Sequence, residues 1–153
     1  MSMSVKILVL IDGSKWSQKA ALHAIAIAKK RGGKVILFSV LDRREAKTMA
    51  FSLSMFSDRL EKVEHFEEEI WKEMKKGIKT IMTGLVELCH EEGVNCSFRI
   101  VEGPAKERII REANSGNYTL VVMGAYGRSG KTRIGSLLEE VVGMITVPTM
   151  IVR

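Results

Sequence analysis

At 153 residues, 46% hydrophobic and 27% charged, the chain reads as one soluble globular domain over residues 1–153. That length buries roughly two thirds of the unfolded surface without a disulfide or metal. No run approaches the ~18 apolar residues of a membrane span, so no membrane partner is expected. Lysine plus arginine number 24 against 18 acidic residues, a net charge of +6 that admits nucleic acid or a small anion. Only nine aromatics are present and no aromatic-basic or recognition-helix pattern occurs, which speaks against nucleic acid.

Met1 to Lys6 runs straight into a strand with no secretory leader pattern, so a cytoplasmic location is expected. Val5 to Ile11 is an apolar, β-branched run suited to a central buried strand. It ends in Asp12-Gly13-Ser14, where Ser14 is placed to cap a helix whose Trp16, Ala20, Ala21, Ala24, Ile25 and Ala28 recur at helical spacing as far as Gly32-Gly33. A second strand at Val35 to Val40 completes a βαβ unit. Asp12 thus lies at the carboxyl end of the first strand, where open α/β sheets bind ligands. Its carboxylate could accept from a ribose hydroxyl or an adenine amine. An Asx turn is an equally good reading of the same residue.

Leu41 to Ser57 is longer than an αβ connection needs, and Phe51, Leu53 and Met55 alternate there with Ser52 and Ser54. The alternation predicts an extended segment laid on an apolar surface, a covering loop, a lid or a dimer contact. From Asp58 to Glu92 a helical pattern is continuous through Val63, Phe66, Ile70, Met74, Ile78, Ile81, Leu85 and Leu88. A helix of ~34 residues would run about 50 Å, more than a strand spans. The expectation is a break near Gly77 or Gly84, or a first half that packs on a partner chain.

Val94 to Val101 supplies a third strand. Pro104 then opens a helix in its first turn, with Ala105, Ile109, Ile110 and Ala113 inward. Cys89 and Cys96, with six residues between them, match neither a disulfide framework nor a metal spacing and are expected as reduced, partly buried thiols. His23, His65 and His90 are scattered, so no metal site is expected. Tyr118 to Met123 is the fourth strand, Leu137 to Ile145 the last helix, and Thr149 to Val152 a fifth strand at the sheet edge.

The densest chemistry follows the fourth strand, in Leu120 to Leu138. The apolar run stops at Met123-Gly124. Gly127, Gly130 and Gly135 then permit close backbone approach, and Arg128, Lys131 and Arg133 bring positive charge to the same turn. Ser136 to Glu139 fits a capping box, so the next helix, from Leu137, would aim its free N–H groups at the glycine loop. The combination favours a phosphate-bearing ligand. Ala125 to Thr132 also satisfies a loose P-loop pattern, but only 21 residues follow Thr132 and none is the Asp that a nucleotide triphosphatase needs for its magnesium.

Gly124-x2-Gly127 followed by Gly135-Ser136 resembles the glycine motif of the nucleotide-binding universal stress proteins, G-x2-G-x9-G-[ST]. Seven residues rather than nine separate Gly127 from Gly135 here. The resemblance covers nearly the whole chain apart from an atypical insertion at about 41–60. It implies a Rossmann-like, doubly wound α/β fold: an open five-stranded parallel sheet in the order 3-2-1-4-5 with helices on both faces. It further implies ATP as ligand, with or without Mg2+, held by Ile11, Asp12, Gly13, Ser14, Val40, Met123, Gly124, Gly127, Arg128, Gly130, Gly135, Ser136 and Leu137. In this family Asp12 would contact the nucleotide, Val40 would offer backbone to adenine, and the terminal strand would form a homodimer. No Ser/His/Asp, Cys/His or paired-carboxylate arrangement falls near the loop, so a binding protein that signals to an unknown protein partner is expected rather than an enzyme. The alternatives are a nucleotide-independent interaction module of the same fold and a slow ATPase using Lys131 and Thr132.

Overall fold

The computed structural model describes residues 4–57, 63–127 and 137–153. Five strands, β1 (Val5–Leu10), β2 (Gly33–Leu41), β3 (Asn95–Glu102), β4 (Leu120–Gly124) and β5 (Thr149–Val152), form one parallel sheet in the order β3-β2-β1-β4-β5. The anticipated sheet is therefore present. β2 begins two residues earlier than the apolar run indicates, because Gly33 already pairs with Val5 of β1.

Alternate residues of the sheet feed two separate cores, as a period of two requires. Ile7, Val9, Ile11, Val35, Leu37 and Leu41 face α1 (Lys15–Arg31) and α3 (Val63–Glu91), which return Ala20, Ala24, Ala28, Met74, Ile78, Met82 and Leu85. Leu8, Leu10, Ile36, Phe38, Val121 and Met123 face α4 (Ala105–Ser115) and α5 (Leu137–Val142), through Ile109, Ala113 and Val141. Burying each large aliphatic side chain contributes about 1.5–3 kcal/mol, so the central strands, inaccessible on both faces, anchor the domain.

Small residues let α1 approach the sheet closely, and the closest approach is at its first turn. A β-carbon on Gly124, the last residue of β4, would lie 2.9 Å from the backbone carbonyl carbon of Trp16 and from its Cβ. Helix backbone thus rests directly on strand backbone beside the carboxyl ends of β1 and β4. Any side chain larger than hydrogen at residue 124 displaces α1.

Four expectations are corrected. Arg43–Ser57 is a helix, α2, and not an extended segment. Asp42 starts it, its Oδ1 accepting from the Arg44 N–H at 2.9 Å, and its buried stripe is Ala46, Ala50 and Ser54, spaced four apart. The large residues between them point outward: Phe51 is 54% exposed and Met55 58%. α3 is unbroken through Gly77 and Gly84, where an added β-carbon would meet nothing, so both glycines lie on its open side and neither interrupts it. α2 packs along α3, so no partner chain is needed to account for the helix's length. Residues 58–62, part of the anticipated long helix, lie outside the described residues. Pro104 occupies the N-cap position of α4 rather than its first turn, at φ −65° and ψ 122°. The last helix ends at Val142 rather than Ile145, although the Met144 and Ile145 N–H groups still bond to the Val141 carbonyl.

Two stability predictions follow from this packing, both read by urea unfolding. Gly124→Ala is expected to cost about 1–3 kcal/mol, the usual effect of overpacking against backbone. Ala50→Leu is expected to cost a similar ~1–3 kcal/mol at the α2–α3 seam, while Phe51→Ser and Met55→Ser should each change stability by less than about 0.5 kcal/mol. The reverse ranking would mean that α2 buries its large residues.

Candidate functional site

Sheet order reverses between β1 and β4, because the chain runs outward from β1 through β2 to β3 and then crosses to β4 on the other side. The crevice beyond the carboxyl ends of these two strands is where a doubly wound sheet leaves room for a ligand. Leu10 pairs with Phe38, and Val9 with Val122. Continuing those registers brings Asp12 level with Val40 and Ile11 level with Gly124. The structure therefore gathers Ile11, Asp12, Gly13, Ser14, Val40, Met123, Gly124 and Gly127 at one end of the sheet. Arg128, Gly130, Gly135 and Ser136 lie outside the described residues. Leu137 opens α5.

The Asp12 turn is built by its own hydrogen bonds. Asp12 Oδ1 accepts from the Ser14 N–H at 2.9 Å, an Asx turn, and Gly13 between them takes φ +88°, a conformation that favours glycine. Ser14 caps α1 from extended backbone (φ −75°, ψ 158°), its Oγ accepting from the Ser17 N–H at 3.1 Å. Ser17 Oγ in turn donates to the Ser14 carbonyl at 2.9 Å. Ser14 and Ser17 are both buried, so their hydroxyls hold the helix start and are not presented to solvent. Asp12 is half-buried and holds the turn through its Oδ1.

On the β4 side the chain leaves the sheet under control. The Ala125 N–H donates to the Val152 carbonyl at 2.8 Å, and the Tyr126 ring leans on Trp16 with centroids 4.8 Å apart and planes tilted 56°. The Lys15 and Lys19 ammonium groups lie 4.8 and 5.2 Å from the Trp16 ring centre. This aromatic and cationic support was not anticipated. Helical spacing assigns Trp16 to the core, whereas it sits half-buried at the rim beside Tyr126.

A second feature missed in the sequence is a cleft of about 450 Å³ one and two strands along, lined by Asp42, Arg43, Arg44, Glu102, Gly103 and Pro104. The Gly103 N–H ties it together by donating to the Leu41 carbonyl at 3.1 Å. Arg44 bonds both oxygens of Asp42 and holds that carboxyl below the usual carboxylate range, while Arg43 pairs with Glu67 and Glu68 and lies over the Trp71 ring. Its charges are thus largely matched internally. Among the described residues no group of three or more His, Cys, Asp or Glu side chains is placed to hold a metal ion, and no helix is long and apolar enough to cross a membrane.

Residues 3–153 match the model of the universal stress protein family. Universal stress protein YxiE of Bacillus subtilis is 33% identical over 150 residues, covering 97% of this chain and 98% of its own. Universal stress protein MJ0577 of Methanocaldococcus jannaschii is 30% identical over 155 residues, covering 99% and 96%. The MJ0577 structure superposes with a TM-score of 0.77 over 98% of this chain and 96% of that one, with 26% identity. A universal stress protein from Archaeoglobus fulgidus, solved in complex with dAMP, covers all of both chains at a TM-score of 0.66 and 15% identity, a likeness of fold. On the strength of the family match over almost its full length, the chain belongs to the universal stress protein family.

Proposed function

We propose that this chain binds an adenine nucleotide, ATP foremost, in the crevice between the ends of β1 and β4, and acts as a dimeric binding protein rather than as an enzyme. The observation that carries the reading is the meeting of Ile11–Ser14, Val40 and Met123–Gly127 at the switch point of the sheet. The dAMP complex of the Archaeoglobus relative supports the same ligand class. In this reading the Val40 backbone meets the adenine edge and the Asp12 carboxylate accepts from a ribose hydroxyl or the adenine amine. Gly124 and Gly127 let the chain turn closely past the sugar. Arg128, Gly130, Gly135, Ser136 and the start of α5 at Leu137 then wrap the phosphates, with or without Mg2+. Such a protein works by presenting a surface that changes with the bound nucleotide and that a protein partner reads in a cytoplasmic setting. Residues 1–153 form the single nucleotide-binding domain, with α2 as its insertion.

Calorimetric titration with ATP, ADP and AMP, with and without magnesium, tests the reading. Micromolar ATP binding is expected, and it should be lost when Gly127→Val and Ser136→Ala are combined. Absence of binding by the unaltered protein would overturn the proposal in favour of a nucleotide-independent module of the same fold.

Dimerisation is read from β5, which pairs with β4 on one side and closes the sheet order on the other. The Pro148 and Val152 carbonyls face β4, accepting from Val121 at 2.9 Å and Ala125 at 2.8 Å. By alternation, Ile151 turns its N–H outward, and its side chain is 38% exposed. Ile151→Pro removes that outward donor while leaving the β4 contacts in place. Sedimentation equilibrium should show a dimer converted to monomer by the substitution, and a dimer that persists in the variant would place the interface elsewhere.

A further inference from the structure

β3 closes one side of the sheet, with β2 as its single strand neighbour among the described residues. Alternate residues of a parallel strand address their backbone groups to opposite sides. The Gly103 N–H donates to the Leu41 carbonyl of β2 at 3.1 Å, so Ser97, Arg99 and Val101 also turn inward, while Cys96, Phe98, Ile100 and Glu102 turn their N–H and C=O groups out from the sheet. β3 has 8 residues against 4 in β5, so its open edge is the longer template for an added strand. Phe98 stands on it 37% exposed.

A row of lysines runs along the same side. α1 packs over β1 and β4 and α3 over β3 and β2, and the Lys29–Glu92 ion pair at 2.5 Å marks the flank of α3 that faces α1. At ~100° per residue, Lys72, Lys75, Lys76 and Lys79 lie about 100–160° around the helix from Glu92, on the flank turned away from α1 toward the β3 edge. Trp71 fixes their level. Lys75 lies 5.5 Å from the centre of its ring and Arg43 5.3 Å, and Arg43 lines the cleft shared with Glu102 and Gly103, where β3 ends. All four lysines are exposed, and among the described residues none is ion-paired, whereas Glu67 and Glu68 on the preceding turn are taken up by Arg43. The flank therefore carries uncompensated positive charge.

We propose that the β3 edge and the lysine row of α3 form a docking surface for an extended, acidic segment of a partner protein, which joins the sheet as a sixth strand. The outward backbone groups of Cys96, Phe98 and Ile100 supply the hydrogen bonds and the Phe98 ring an apolar contact, while the lysines select carboxylates at alternate positions of the incoming strand. Charge disfavours the obvious rival, a second copy of this chain. Two β3 edges laid together would bring two uncompensated lysine rows into contact, and lysines guard sheet edges against such self-pairing. The surface lies at the opposite end of the sheet from β5, and no residue of the nucleotide crevice takes part in it.

The probe is a fluorescein-labelled peptide of alternating glutamate and threonine, as long as β3, titrated into the full chain by fluorescence anisotropy, with amide hydrogen exchange read on the complex. Binding is expected, weakened about tenfold by Lys75→Glu combined with Lys79→Glu. N-methylation of one alternate set of peptide amides should weaken it as much, and methylation of the other set should be tolerated. Exchange should slow at Cys96, Phe98 and Ile100 and stay unchanged at Ser97, Arg99 and Val101, which already face β2. No binding by the unaltered chain overturns the proposal, as does binding that protects no β3 amide, which would make the lysines a general anion contact. A single-stranded oligonucleotide or phosphatidylserine vesicle that takes the same lysines while the peptide fails to bind would equally overturn it, giving the surface to that partner instead.

Discussion

The backbone of the first turn of α1 lies where a Gly124 side chain would stand, and the arrangement of the ligand-facing end depends on that contact. For α1 to begin so close to β4, the chain must leave β1 and turn within a few residues. Gly13 supplies the positive φ, the Asp12 carboxylate closes the turn, and Ser14 caps the helix. Each of these residues also belongs to the stretch proposed to meet the nucleotide. The fold therefore requires the Asp-Gly-Ser sequence and Gly124 on its own account, and neither is by itself evidence of a ligand. What favours a ligand is their location together with Val40 and Gly127, at the one place where the sheet's order reverses.

The same contact links the site to the sheet edge. Ala125 follows Gly124 immediately, and its N–H is bonded to Val152, the last residue of β5. Under the proposed function, a ligand that repositions the chain after Ala125 acts on the terminal hydrogen bond of the strand that offers the dimer edge. Only one peptide separates the close-packed glycine from that bond. On that proposal, nucleotide occupancy and assembly would be coupled through a very short path, with no long-range network needed.

Much of the fold was legible because its strands are buried on both faces and read as unbroken apolar runs, as in Val5 to Ile11 and Leu120 to Met123. The α1 capping serine and its alanine face were equally visible. α2 was not, because the eye follows large residues, and Phe51, Leu53 and Met55 alternate with serines like a strand. Packing obeys the small ones instead. Ala46, Ala50 and Ser54 at intervals of four are what α3 accepts, and Asp42-Arg43-Arg44-Glu45 is a helix-start signature that precedes them. The expected ends of β1 and β4 lie within one residue of the observed ones, but nothing in the sequence pointed to the Trp16–Tyr126 contact, which joins residues 110 positions apart. Nor did it show the Asp42 to Pro104 cleft, whose walls come from two separate connections.

The proposed nucleotide position is tested most directly by the change in backbone amide resonances of the isotope-labelled protein on addition of ATP. Shifts concentrated at Asp12 to Ser14, Val40 and Gly124 to Gly127, with the Glu102 to Pro104 turn and α3 left in place, are the predicted result. Shifts centred instead on Asp42 to Arg44 and Glu102 to Pro104 would contradict it, by moving the binding site into the neighbouring cleft.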